Sequence, residues 1–272
     1  MTLPGASKSN YTFNGWYTAA SGGTKIGDAG ASYTPTANTT LYAQWSISCV
    51  TPDTLVTLAD GTQKRIDEVT YSDSILVWNF FEGRLDVANG SIIMNHGYDS
   101  YTVLHLKFSD GTVVKVINSH GFFDEATNDF EFITPENVED YIGHTFLKNS
   151  GDGFVRVTLE SYELAEEYTE SYSILTAEHY NCMLEGMFTV TEAEVHAVYL
   201  TPYDIGDDLK YDEEKMQADV EKYGLYTYEE FAHLLTEEQF NALNLKHFKV
   251  AVGKGLITYE EIVFLIKLHF GA

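Results

Sequence analysis

Leu104-His105-Leu106-Lys107-Phe108 alternates apolar and polar side chains, pauses at Asp110-Gly111, and resumes as Val114-Lys115-Val116. Period-two alternation on both sides of an Asp-Gly pair predicts a hairpin, because that pair fits the tight turn that twisted strands prefer. Val56-Thr57-Leu58 ahead of Asp60-Gly61-Thr62 makes the same signal. Ile75-Leu76-Val77-Trp78, Val155-Arg156-Val157 and Tyr172-Ser173-Ile174-Leu175 add further short strands, so residues 47–200 read as an all-β unit.

The pattern differs at both ends. Residues 1–46 carry short apolar and aromatic runs between turn signals at Gly22-Gly23 and Asp28-Ala29-Gly30, which predicts a small β module with Trp16 and Trp45 in its core. Residues 205–272 shift to helical spacing. Thr227-x-x-Glu230, Thr236-x-x-Gln239 and Thr258-x-x-Glu261 are capping boxes, and Asp212–Tyr223 predicts an acidic helix. Gly224-Leu225-Tyr226-Thr227-Tyr228-Glu229-Glu230 recurs as Gly255-Leu256-Ile257-Thr258-Tyr259-Glu260-Glu261, which predicts a helical module with an internal repeat. The fold class is therefore mainly β, with a small N-terminal β module and a C-terminal α-helical module.

Composition narrows the function. The 272 residues are 44% hydrophobic and 14% aromatic, enough to build a packed core, and they carry a net charge of −25. A surface that negative repels phosphate backbones, so no nucleic-acid partner is expected. No apolar run reaches the length of a membrane span, and the start of the chain is unlike a signal peptide. Cys49 and Cys182 are the only cysteines, and the histidines show no metal-ligand spacing; neither a metal site nor a cofactor is expected.

Two resemblances follow from particular runs. Tyr11-Thr12-Phe13-Asn14-Gly15-Trp16-Tyr17, with Ala37-Asn38-Thr39-Thr40-Leu41-Tyr42-Ala43-Gln44-Trp45, resembles the internalin-type B repeat of bacterial surface proteins. The likeness implies a spacer that begins partway through the repeat, within a larger cell-surface or phage-virion protein. Cys49-Val50-Thr51-Pro52-Asp53-Thr54-Leu55-Val56, then Val116-Ile117-Asn118-Ser119-His120-Gly121-Phe122, then Tyr172-Ser173-Ile174-Leu175-Thr176 with His179-Tyr180-Asn181, resemble in order three blocks of the Hint domains. Those are the self-processing modules shared by hedgehog proteins and inteins. The Gly-Leu-x-Thr-x-Glu motif of the tail also resembles short C-terminal modules of phage structural proteins.

The Hint resemblance implies roles. Cys49 is the nucleophile, attacking the carbonyl of Ser48 to exchange the Ser48–Cys49 amide for a thioester, and a thiol suits this because it leaves well in the next step. His120, with an imidazole's ordinary titration near neutrality, is the candidate acid that protonates the departing nitrogen. Asn118 or Ser119 is the candidate oxyanion donor, with strand alternation turning only one of them inward. His179 is a candidate neighbour of the site, whereas His105 reads as core and His144 as a loop residue. Water, a thiol or an amine is the acceptor that opens the thioester. Cys182, from a block adjacent to the first in that fold, is a candidate disulfide partner of Cys49.

Three departures limit the chemistry. Ile117 stands where the family usually has threonine, three residues before the histidine. Val190-Thr191 stands where inteins have the His-Asn pair whose asparagine cyclises. The span leaves no room for a homing endonuclease. Two functions from different classes remain. One is a single-turnover N-to-S acyl shift at Ser48–Cys49 that releases or transfers the N-terminal flank without full splicing. The other is an inactive Hint remnant inside a structural surface or fibre protein, with other surface or virion proteins as partners. The helical tail reads as a stabilising or oligomerising piece, or by analogy with hedgehog proteins as a region presenting the acceptor.

Overall fold

The computed structural model describes residues 1–6, 12–20, 23–27, 29–35, 37–46, 48–89, 91–176, 179–191, 202–242 and 244–270. Tyr11 and the expected boundary near residue 200 lie outside them. The chain divides into two compact units, Met1–Ile47 and Ser48–Ala272.

In the first unit, β1 (Thr12–Tyr17), β2 (Lys25–Gly27) and β3 (Tyr42–Ser46) form a sheet in the order β2-β1-β3. Trp16 is half-buried, and its indole nitrogen donates to the Pro4 carbonyl at 2.7 Å. Among the described side chains of this unit, Leu3 is buried. The Trp45 side chain lies outside the described residues.

The second unit is built on an 11-stranded sheet. It opens with β4 (Ser48–Val50), β5 (Leu55–Thr57) and β6 (Gln63–Arg65). The β5–β6 connection is the expected Asp60-Gly61 turn, in which the Asp60 carboxylate accepts from the Thr62 amide and hydroxyl. A separate hairpin follows, β7 (Ser74–Asn79) with β8 (Arg84–Asn89). The long β9 (Ser91–Phe108) turns at Asp110-Gly111 into β10 (Val113–Asn118), as its alternation predicts. Then come β11 (His120–Asp124), β12 (Asp129–Ile133) and β13 (Thr145–Asn149). The segments around Val155 and Tyr172, read as two strands, are one: β14 (Phe154–Thr176) runs antiparallel to β9 as a long ribbon. Finally β15 (Asn181–Leu184) and β16 (Met187–Val190) pair with each other, and β15 returns to β5. The order is β4-β10-β9-β14-β13-β11-β16-β15-β5-β6, with β12 on β11.

The helical region holds α1 (Glu213–Tyr223), α2 (Glu237–Ala242), α3 (Phe248–Gly253) and α4 (Tyr259–Phe270). Asp212 caps α1 by accepting from the amides of Glu214 and Lys215. Thr236 and Gln239 exchange capping bonds at the start of α2. The two copies of the repeat fold differently. Thr227 and Glu230 form their capping box, but the turn they open is a short 3-10 helix, Tyr228–Glu230, whereas the second copy opens the 12-residue α4.

The described helices lie in the same compact unit as the sheet. Phe231, Phe240, Phe248 and Ile262 pack in one apolar cluster with Trp78, Phe123 and Phe188 from the strands and Phe80 from the β7–β8 turn. Phe80 stacks on Tyr211 with ring centres 5.7 Å apart, and the Trp78 indole donates to the Leu209 carbonyl at 2.8 Å. Two further clusters lie within the strands, one around Leu104, Phe122 and Phe146 and one around Val50, Ile174 and Cys182.

Candidate functional site

The site starts from a short ladder. Val114 and Val116 enter the core on one face of β10, which fixes the alternation, and β4 pairs with the end of that strand. The register sets Val50 opposite Val116, Cys49 opposite Ile117, and Ser48 opposite Asn118. Cys49 and Ile117 are both fully buried.

At Asn118 the strand ends abruptly. Asn118 takes the left-handed backbone region at φ 64°, which asparagine tolerates better than most residues, and the Ser119 amide donates back to the Ile117 carbonyl at 2.9 Å. This turn breaks the alternation expected across the two residues. Ser119 is the buried one and Asn118 is half-buried. β11 begins at His120, so Cys49, Ile117, Asn118, Ser119 and His120 are gathered within one strand pair and the turn that leaves it.

His120 is only 3% exposed, with its ring edge-on to Phe122 at 5.7 Å. Burial pulls its pKa down to about 4. The imidazole is therefore neutral at pH 7, and the near-neutral titration expected of it does not hold in this setting. A neutral ring can accept a proton or donate a hydrogen bond, but it is a poor reserve of acid.

His179 lies at the entry to β15. It and Tyr180 are consecutive left-handed residues leading into β15, at φ 58° and 48°. Its Nε2 is 3.9 Å from an Asp86 carboxylate oxygen, and burial lowers its pKa while Asp86 opposes that. It lines a small hollow with Phe80, Phe81, Tyr211 and His247. His105, expected in the core, is half-buried on the β9–β14 ribbon with its Nε2 2.8 Å from Glu167. His144 Nδ1 sits 2.5 Å from the fully buried Asp124 carboxylate.

Cys182 is a buried thiol whose sulfur lies 3.6 Å from the Thr189 hydroxyl. Burial pushes its pKa up to about 12, with the Thr189 contact opposing. Its side chain shares a cluster with Val50, and neighbouring residues of a strand point to opposite faces, so Cys49 is turned away from it. The anticipated Cys49–Cys182 disulfide is not formed.

At the other end of the family pattern, β16 runs antiparallel to β11 with Thr189 opposite Phe122. Val190 and Thr191, where inteins carry His-Asn, are both buried. The Thr191 amide donates to the Tyr180 carbonyl at 2.9 Å, and its hydroxyl lies 3.3 Å from that of Thr176. Neither side chain offers an amide that can cyclise.

One residue went unnoticed in the sequence. The Asn181 side chain accepts from the Trp78 amide at 2.7 Å and donates to the Trp78 carbonyl at 2.9 Å and the His179 carbonyl at 2.8 Å. It thus mimics a strand edge for β7. Only its place beside His179-Tyr180 hinted at this, since asparagine in such a run reads as a turn residue.

Among the described residues no group of three or more His, Cys, Asp or Glu side chains is placed to hold a metal ion. Among them, too, no helix is long and apolar enough to cross a membrane.

Residues 1–44 match the Listeria–Bacteroides repeat domain family, Flg_new, rather than a family described as the internalin-type B repeat. No curated protein matches the chain. Among solved structures, the chain is similar to a DnaB intein from Synechocystis at 16% identity and TM-score 0.44, covering 53% of this chain and 98% of that one. A DnaX mini intein from Spirulina platensis aligns at 17% identity and TM-score 0.43, covering 53% and 99%. A bacterial intein-like domain from Clostridium thermocellum aligns at 16% identity and TM-score 0.41, covering 54% and 99%. Likeness of that degree decides nothing about chemistry.

Proposed function

We propose that this chain is a Hint-type module kept as a structural link in a larger cell-surface or virion-fibre protein, with its Ser48–Cys49 bond left intact. The Hint part of the reading is supported by the three ordered blocks and by the register that sets the Cys49 strand against the strand leading to His120. The observation that carries the structural part is the pairing of Cys49 with Ile117, an aliphatic side chain where a hydrogen-bond donor is wanted. A tetrahedral oxyanion formed at Ser48 needs preorganised donors, and a missing donor typically costs a factor of about 100–1000 in rate. The neutral His120 and the absence of a cyclising amide at Val190-Thr191 point the same way. Surface or virion residence rests on the N-terminal repeat.

A second reading is favoured by the gathering of Ser48, Cys49, Asn118, Ser119 and His120 at one turn. In it the Cys49 thiol adds to the Ser48 carbonyl carbon, the Ser48–Cys49 C–N bond breaks, and the thiol's proton passes to the departing Cys49 nitrogen, which leaves as a free amine. Water, a thiol or an amine then opens the thioester.

Intact mass of the purified chain, followed for a day with a thiol reductant, separates the two. The expected result is an unchanged 30.5 kDa species. A fragment of roughly 25 kDa beginning at Cys49, scaled from chain length, overturns the structural reading and supports the acyl shift.

A further inference from the structure

Gly121 follows His120 in β11, and no turn accounts for its missing side chain, since it is not among the positive-φ residues. Space accounts for it. A Cβ at Gly121 stands 2.5 Å from Val190 Cγ1 and 3.1 Å from Phe132 Cζ. Carbons pack at about 3.5–4.0 Å, so an alanine here displaces a neighbour. Phe132 is the cross-strand partner of Gly121 in β12. Val190 ends β16, and continuing the Phe122–Thr189 register sets Gly121 opposite Val190 and His120 opposite Thr191.

The space over position 121, beside His120, is thus filled by the Val190 side chain of β16 and the Phe132 ring of β12. From behind, β16 is held by the Thr191–Tyr180 backbone bond and by its own pairing with β15. Bulk at position 121 therefore displaces β11 as readily as β16, and β11 carries the imidazole.

We propose that Gly121 is a positioning residue for His120: by carrying no side chain it leaves room for Val190 of β16 and Phe132 of β12 to pack over β11, and that packing holds the imidazole in its buried place next to the turn at Asn118-Ser119. The proposal concerns where the ring sits, so it stands whether or not the Ser48–Cys49 bond is ever attacked.

The test uses the full chain with isotope-labelled histidine, reading the ring Cε1–H cross-peak of His120, assigned by its loss in His120→Gln. Gly121→Ala is expected to shift that cross-peak while those of His105 and His144 stay in place. Val190→Ala alone leaves it near its native position, and Gly121→Ala with Val190→Ala returns it there, because the shortened side chain makes room for the new methyl. A folded Gly121→Ala chain with lowered Tm and an unmoved His120 cross-peak overturns the proposal, since a merely structural glycine gives that result. A shift that the double variant does not reverse also overturns it. Should Gly121→Ala fail to fold, the double variant decides alone: a native cross-peak supports the proposal and a displaced one overturns it.

Discussion

Ile117 faces Cys49 directly across the β4–β10 ladder, and on its other side pairs with Val103 of β9. Cys49, Ile117 and Val103 form a buried row across three strands, with no hydroxyl, amide or charge among their side chains beside the thiol. On the acyl-shift reading, the position expected to supply an oxyanion donor is thus the cross-strand neighbour of the candidate nucleophile.

Ile117→Thr is expected to awaken cleavage. Threonine keeps the β-branched shape that suits a strand and brings a hydroxyl opposite Cys49. The loss of buried aliphatic surface costs about 2 kcal/mol in stability. Thiol-dependent release of the fragment starting at Cys49 is the measurement, and a folded variant whose mass never changes means that Ile117 is not what holds the chemistry off.

Acid should weaken the fold earlier than carboxylates alone dictate. His120 has an ordinary pKa of 6.5 when unfolded and about 4 when folded. Between those values the unfolded chain binds the proton and the native one does not, so stability is fully present above pH 6.5 and is lost as pH falls toward 4. At about 1.4 kcal/mol per unit the loss is on the order of 3 kcal/mol. Asp110, lowered to about 2 mainly by its Lys148 hydrogen bond against the opposing cost of burial, acts in a separate and lower window. Urea denaturation at a series of pH values checks this, and His120→Gln should remove its share of the slope between pH 6.5 and 4, leaving that of His247, whose pKa burial also pulls down to about 4.

Asn181→Ala is expected to cost about 2–4 kcal/mol, because it strips partners from the buried Trp78 amide and carbonyl at once. Denaturant midpoints measure it. A change under about 0.5 kcal/mol, the range typical of surface sites, rules out the bracket role.

Neither cysteine should react quickly in the native state. Both are buried, and the raised pKa of Cys182 leaves little thiolate at pH 8. Ellman's reagent is expected to find two thiols in denaturant and only slow labelling without it. A single thiol, or none, in non-reducing denaturant indicates a disulfide and contradicts the placement of Cys182 beside Val50.

Much of the β architecture was legible because alternation and Asp-Gly turns are local signals. Both hairpins at Asp60-Gly61 and Asp110-Gly111 formed as the pattern predicts. The short strands β11, β15 and β16 escaped because they are buried throughout and show no alternation, only runs such as Asn181-Cys182-Met183-Leu184. The helical tail was legible in type but not in partnership. Capping boxes mark where helices start, and nothing local says that Phe231 and Phe248 meet Phe80 and Trp78. Of the candidate site, Cys49 and His120 came from motif order. The register of Cys49 against Ile117 and the neutral state of His120 depend on pairing and burial, which no spacing reveals. The tightness at Gly121 was hidden for the same reason, since it exists only once β16 arrives.

The pairings around Cys49 also set an order in time. β4 waits for β10 and for Tyr172 of β14, and β5 waits for Leu184 of β15. Contacts between segments so far apart in the chain form slowly, after the loop entropy between them has been overcome. During synthesis the Ser48–Cys49 peptide therefore leaves the ribosome well before the strands that enclose it. For that interval it is an ordinary solvated peptide; Ile117 can reach Cys49 once β10 has been made, and Tyr172 closes on Val50 only when the last third of the sheet follows.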